Sequence, residues 1–87
     1  MHDLGSLIHD SIRAARELNR LAIAERRRLR ACEVRLNAGE NCCGEYNARG
    51  DALWQLDAAR DDCIAFARGL RRVSTYVKPA EVPTWTT

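Results

Sequence analysis

Residues 3–37 read DLGSLIHDSIRAARELNRLAIAERRRLRACEVRLN. Within them Leu4, Ile8, Ser11, Ala15, Leu18, Ala22, Glu25, Leu29, Cys32 and Leu36 follow one another at steps of three and four, the spacing that lines one side of an α-helix. All are apolar except Ser11 and Glu25. Leu7, Ile12 and Leu21 widen the stripe, and Arg13, Arg16, Arg20 and Arg27 fall on the opposite side. Good helix formers (Ala, Leu, Arg, Glu) dominate the stretch. Asp3 or Ser6 can accept from the free N–H groups at its start, and Gly39 suits its end. A helix over about residues 3–37 follows.

Gly39, Asn41 and Gly44 mark a loop over about residues 38–44. Beyond it Tyr46, Leu53, Leu56, Ala59, Cys63, Phe66, Leu70 and Val73 form a second helical stripe, with one step skipped at Arg49, and predict a helix over about 45–73. Acidic Glu45, Asp51 and Asp57 lie in its first half and Arg68, Arg71 and Arg72 close its end, which complements the helix dipole. Both prolines lie in residues 78–87, which show no periodicity and read as an extended tail.

So short a connection makes the two helices antiparallel neighbours. The expected fold is therefore all-α: a long antiparallel helical hairpin over residues 1–77 followed by the tail. If the turn centres near residue 41, residue numbers adding to about 82 face each other, which sets Leu29 against Leu53, Ala22 against Arg60 and Ala15 against Ala67. Charge agrees with the pairing. Arg13 to Arg35 holds eight Arg against three Glu, whereas Glu40 to Asp62 holds six acids against Arg49 and Arg60. Glu25, on the apolar stripe of the first helix, needs a partner or water, and Arg60 is expected to supply one.

Two helices bury only one stripe each, and Ile23, Trp54 and Ile64 fall off the main seam. A second copy of the chain, giving a dimeric four-helix bundle or a higher oligomer, is the expected remedy.

The composition excludes several classes. The longest apolar runs, such as Leu21-Ala22-Ile23-Ala24, fall far short of a membrane span. The first residues include Asp3 and Asp10 and lack a basic stretch leading into an apolar one, so a cytoplasmic location is expected. The net charge of +2 is too small to announce a nucleic-acid partner. Lys78 is the only Lys beside 13 Arg, a bias that fits a GC-rich coding sequence as well as selection for guanidinium chemistry.

Catalytic constellations are equally sparse. The sequence holds no Gly-rich phosphate loop, no nucleophile elbow and no His-Glu-x-x-His. Asp57 and Asp61 share a helix face, but no second catalytic group joins them. Cys32, Cys42, Cys43 and Cys63 match no zinc spacing, and His2 and His9 lie far from them. No enzyme, cofactor or metal site is expected. Cys32 and Cys63 sit on apolar stripes as small core residues, and Cys42 and Cys43 read as loop-tip thiols, their neighbours Glu40 and Glu45 disfavouring a thiolate.

Binding without catalysis remains. The leading expectation is a small helical adaptor or inhibitor that contacts another protein, of the kind that serves a phage or mobile element, with Trp54 and the tail's Trp85 as anchors. The alternative is an oligomeric sponge in which arginines (Arg13, Arg16, Arg20, Arg27, Arg30) converge on an anionic small molecule such as a nucleotide signal. In size and broad layout, though in no alignable stretch, the chain is similar to small phage-encoded helical hairpins that sequester cyclic nucleotides. Nucleic-acid binding by Arg26-Arg27-Arg28-Leu29-Arg30 ranks third, because those side chains splay around the helix and no aromatic interleaves to stack bases.

Overall fold

A computed structural model describes residues 3–76 of the chain. They form two α-helices, α1 (Leu4–Asn37) and α2 (Cys43–Tyr76), of 34 residues each, packed side by side as an antiparallel hairpin. At 1.5 Å per residue each helix is about 50 Å long. No described helix is long and apolar enough to cross a membrane. The expected tail over 78–87, with Trp85, lies outside the described residues.

Local chemistry explains both ends of α1. The Asp3 carboxylate accepts from the Ser6 N–H at 2.7 Å and satisfies one of the free donors of the first turn. At the other end the Gly39 N–H donates to Leu36 O and the Glu40 N–H to Arg35 O, both at 3.0 Å. That pair of bonds is the Schellman arrangement, and it needs a left-handed residue after the cap, which Gly39 supplies at φ 90°. Cys42 then opens α2, its carbonyl accepting from the Tyr46 N–H at 2.9 Å. Cys43 and Gly44, expected in the loop, are the first two residues of α2, so residues 38–42 alone make the connection. The far end of α2 runs to Tyr76, past the expected 73.

The shorter connection moves the register. Asn19 meets Arg60 and Glu33 meets Tyr46, residue numbers adding to 79, and Arg35 meets Glu45, adding to 80. The turn thus centres near residue 40 rather than 41. The expected Glu25–Arg60 pair within the hairpin does not form, because the two side chains lie on opposite sides of the seam: Glu25 binds Arg28 and Arg49 on one side, and on the other stands Arg60, level with Asn19. Its guanidinium is taken up by Asn19 at 2.9 Å, Asp57 at 3.1 Å and Asp61 at 3.2 Å.

The core is thin and made of small residues. Ala15, Ala22, Cys32, Cys42 and Ala67 are the buried apolar residues, and Glu25 is buried with them. The α1 stripe therefore forms the seam as its spacing implied. The α2 stripe does so only in part, with Tyr46, Leu53, Leu56, Ala59, Cys63 and Leu70 half-buried. Ala67 is 4% exposed, whereas Phe66 and Val73, expected in the seam, are 55% and 47% exposed. Small side chains fill the seam beside Ala67, and its bulkier neighbour Phe66 stays at the surface. Ser11, the polar member of the α1 stripe, satisfies its hydroxyl by donating to Leu7 O at 2.8 Å.

Candidate functional site

Cross-hairpin contacts divide the hairpin into two broad faces. On the first, Asn19 meets Arg60, Arg26 meets Asp57 at 3.2 Å, and the Tyr46 hydroxyl donates to Glu33 at 3.2 Å. On the second, Glu25 accepts from Arg49 at 3.1 Å, and Arg35 reaches Glu40 at 2.6 Å and Glu45 at 2.9 Å. Between and outside these faces lie the backs of the two helices.

The first face carries a groove toward the terminal end of the hairpin. Ile12, Ala15, Ile64 and Ala67 form its floor, and its volume is about 510 Å³. Arg16 stands on the α1 rim, Arg68 and Arg71 on the α2 rim, and Asn19 with Arg60 closes the end nearer the loop. Arg16, Arg68 and Arg71 are exposed and have no ion pair among the described residues. No carboxylate lines the groove. Because guanidinium can only donate, the Arg60 contact fixes the Asn19 carboxamide with its oxygen toward Arg60 and its NH2 group free to donate.

The second face is polar near the loop and apolar near the termini. Leu7, Ser11, Ala14, Leu18, Leu21, Glu25, Arg28, Cys32 and Arg35 run along α1 at steps of four and three, and Glu45, Arg49, Ala52, Leu56, Ala59, Cys63, Phe66, Leu70 and Val73 run along α2 in the same way. The members near the loop make the ion-pair cluster of Glu25, Arg28, Arg35, Glu45 and Arg49. Those farther away are apolar except Ser11 and are partly open: Leu21 is 40% exposed, alongside the exposed Phe66 and Val73.

Of the arginines singled out from the sequence, Arg13, Arg16, Arg20, Arg27 and Arg30 are all exposed on α1. Arg20 is bound to Glu17 one turn away. Arg16 alone of the five lines the groove. The basic run is partly consumed within the fold, since Arg26 pairs with Asp57 and Arg28 with Glu25 at 3.1 Å. Sequence reasoning assigned Arg68 and Arg71 only to the dipole of α2 and missed the groove. The signal was their step of three, which sets both on one flank of the helix.

Trp54 is 73% exposed on the back of α2. Gly50 and Ala58, one turn to either side, leave the indole standing clear, and exposed Asp51 beside it has no ion pair among the described residues.

The cysteines divide differently from expectation. Cys42 is buried rather than displayed at the tip, and its thiol lies 3.8 Å from Cys32 O, while Cys43 is exposed. Burial pushes the Cys42 thiol up, beyond what Arg35 nearby recovers. All four are free thiols, and no cluster of metal-ligating side chains occurs among the described residues.

No protein-family model, curated protein or solved structure matches this chain.

Proposed function

We propose that this chain is a non-catalytic binding protein, a small helical adaptor or inhibitor that works by docking on another protein. The observation that carries this reading is Trp54. A large aromatic on a rigid helix, 73% exposed and with only Gly50 and Ala58 one turn away, presents a broad apolar area on two rotatable bonds, so docking costs little side-chain entropy for the area gained, the usual property of an interface anchor. Asp51 beside it suits a partner with an apolar cleft and a basic rim. The working form in this proposal is a dimer joined through the apolar half of the second face, which leaves Trp54 and the groove open. Immobilised wild type and Trp54→Ala protein, exposed to the same extract of the native host, test the reading. Loss of a retained protein by the variant supports it; identical retention by both overturns it.

A second reading, sequestration of a small anion, is favoured by the three unpaired guanidiniums around the groove. Nucleic-acid binding is less favoured, because Asp57 and Glu25 already engage half of the basic run.

A further inference from the structure

We infer that the groove of the first face is a binding site for a small organic phosphate, a phosphate group joined to an apolar or ring-shaped body. The inference rests on the anion reading just given and is independent of Trp54.

Four features select this chemistry. Arg16, Arg68 and Arg71 bring three positive charges to one groove whose lining contains no carboxylate, while Arg60 is already neutralised by Asp57 and Asp61. A lone carboxylate would answer one of those charges. A phosphate monoester carries between one and two negative charges and three acceptor oxygens, and guanidinium forks match it bidentately. The floor of Ile12, Ala15, Ile64 and Ala67 offers no hydrogen bond from its side chains and suits an apolar body. The half-buried Asn19, turned by Arg60 so that its NH2 faces away from that contact, supplies a donor for one polar atom of that body. The volume of about 510 Å³ falls in the range of small-molecule sites rather than of a groove for a folded partner. The site lies on the face opposite the apolar stripe, so a dimer built on that stripe carries two.

Isothermal titration of the full chain tests the inference. Four probes separate the possible sources: ADP for a nucleotide, dihexanoyl phosphatidic acid for a lipid phosphate, inorganic phosphate for the bare anion, and adenosine for the uncharged body. ADP or the phosphatidic acid should bind more tightly than inorganic phosphate and adenosine. Arg16→Ala combined with Arg68→Ala should weaken that binding about 100-fold, roughly tenfold for each charged hydrogen-bonding group lost. Arg13→Ala, on the back of α1, should leave it unchanged. Circular dichroism verifies that the variants, altered only at exposed positions, remain helical. Should the double variant lose helicity, Arg71→Ala alone takes its place, with about a tenfold loss expected. If neither organic phosphate binds at about 1 mM, the inference falls; if inorganic phosphate fails to bind as well, the anion reading on which it rests falls with it. Binding that survives the groove variants, or that Arg13→Ala weakens equally, overturns the groove while leaving anion binding intact. Inorganic phosphate as tight as ADP and the phosphatidic acid removes the role of the apolar floor, and adenosine as tight as ADP removes that of the arginines; either result overturns the inference.

Discussion

Glu25 of α1 and Arg49 of α2 join the two helices through a buried carboxylate, Arg49 Nη1 donating to Glu25 Oε1 at 3.1 Å. Arg28 donates to the other oxygen at the same distance. A charge on the seam is thus answered from both helices, and Arg49 in turn holds Glu45 at 3.3 Å. Removing a partner from a buried carboxylate costs more than the pair contributes over an apolar substitute, because the remaining charge keeps its desolvation penalty.

Arg49→Ala is therefore expected to destabilise the hairpin by about 1–2 kcal/mol, the lower end for such pairs because Arg28 remains. Glu25→Leu should be nearly neutral. Urea midpoints of the single variants and of Glu25→Ala/Arg49→Ala give the coupling, expected above about 0.5 kcal/mol. Glu25→Ala and Arg60→Ala should instead add independently. Coupling in that second cycle would require a contact between protomers.

The apolar half of the second face predicts self-association. Sedimentation equilibrium should give about twice the 9.8 kDa chain mass, with dissociation on dilution. Phe66→Glu places a charge on that face without touching the buried seam, so it should yield a folded but less stable monomer. A wild type that stays monomeric at tens of micromolar, roughly where a weak dimer still assembles, would show that this face serves something other than a second copy.

How the two seams relate to their sequence stripes explains what could be read in advance. For α1 the stripe names the buried residues Ala15, Ala22, Glu25 and Cys32 correctly, because Arg13, Arg16, Arg20 and Arg27 leave one side only to face inward. Around α2, small and apolar residues cover more than one side, and periodicity alone does not distinguish Ala67 from Phe66 as the seam residue. The pairing does better, since it set Ala67 against Ala15 and both are buried. The loop was harder because Gly44 has a poor helix propensity, yet it lies in the first turn of α2, where intrahelical N–H bonds are absent anyway. Glu25 is held by Arg49 and not by Arg60 because the two arginines lie on opposite sides of the seam, and the step skipped at Arg49 in the α2 stripe concealed which of them shares a side with Glu25. The groove was legible only in part: the pairing set Ala15 level with Ala67 and the step of three set Arg68 and Arg71 on one flank of α2, but that Arg16 shares their side depends on how each helix is turned about its axis.

Thiol chemistry should follow burial. Cys43 is exposed and should react first with a maleimide, whereas the buried Cys42, its thiol raised by desolvation, should react last with Cys32. Mass mapping after timed labelling reads the order directly. Early modification of Cys42 would mean that the loop end opens readily.

Acid should loosen that same end. The Arg35 hydrogen bond, reinforced by Arg49, holds the Glu45 carboxyl below its ordinary range. A depressed folded value stabilises above the unfolded value, near 4.3, and the gain is lost as pH falls through the folded value. Amide protection around residues 38–49, expressed relative to the intrinsic exchange rate at each pH, is therefore expected to fall below about pH 4.3, and Glu45→Gln should remove that part of the pH dependence.

The Schellman turn at Gly39 has a kinetic corollary. With five residues between α1 and α2, the first tertiary contacts, Arg35 with Glu45 and Cys42 with Cys32, close a very small loop at slight entropic cost. Each further turn of helix then adds its neighbour by zipping away from the tip, so the chain acquires its form through local steps of the sort that complete in microseconds to milliseconds. The apolar face matures last, at the open ends. Formation of the hairpin should accordingly show a rate indifferent to concentration, followed by a slower second-order phase. Gly39→Ala, which strains the left-handed cap, should retard the first phase and leave the second untouched.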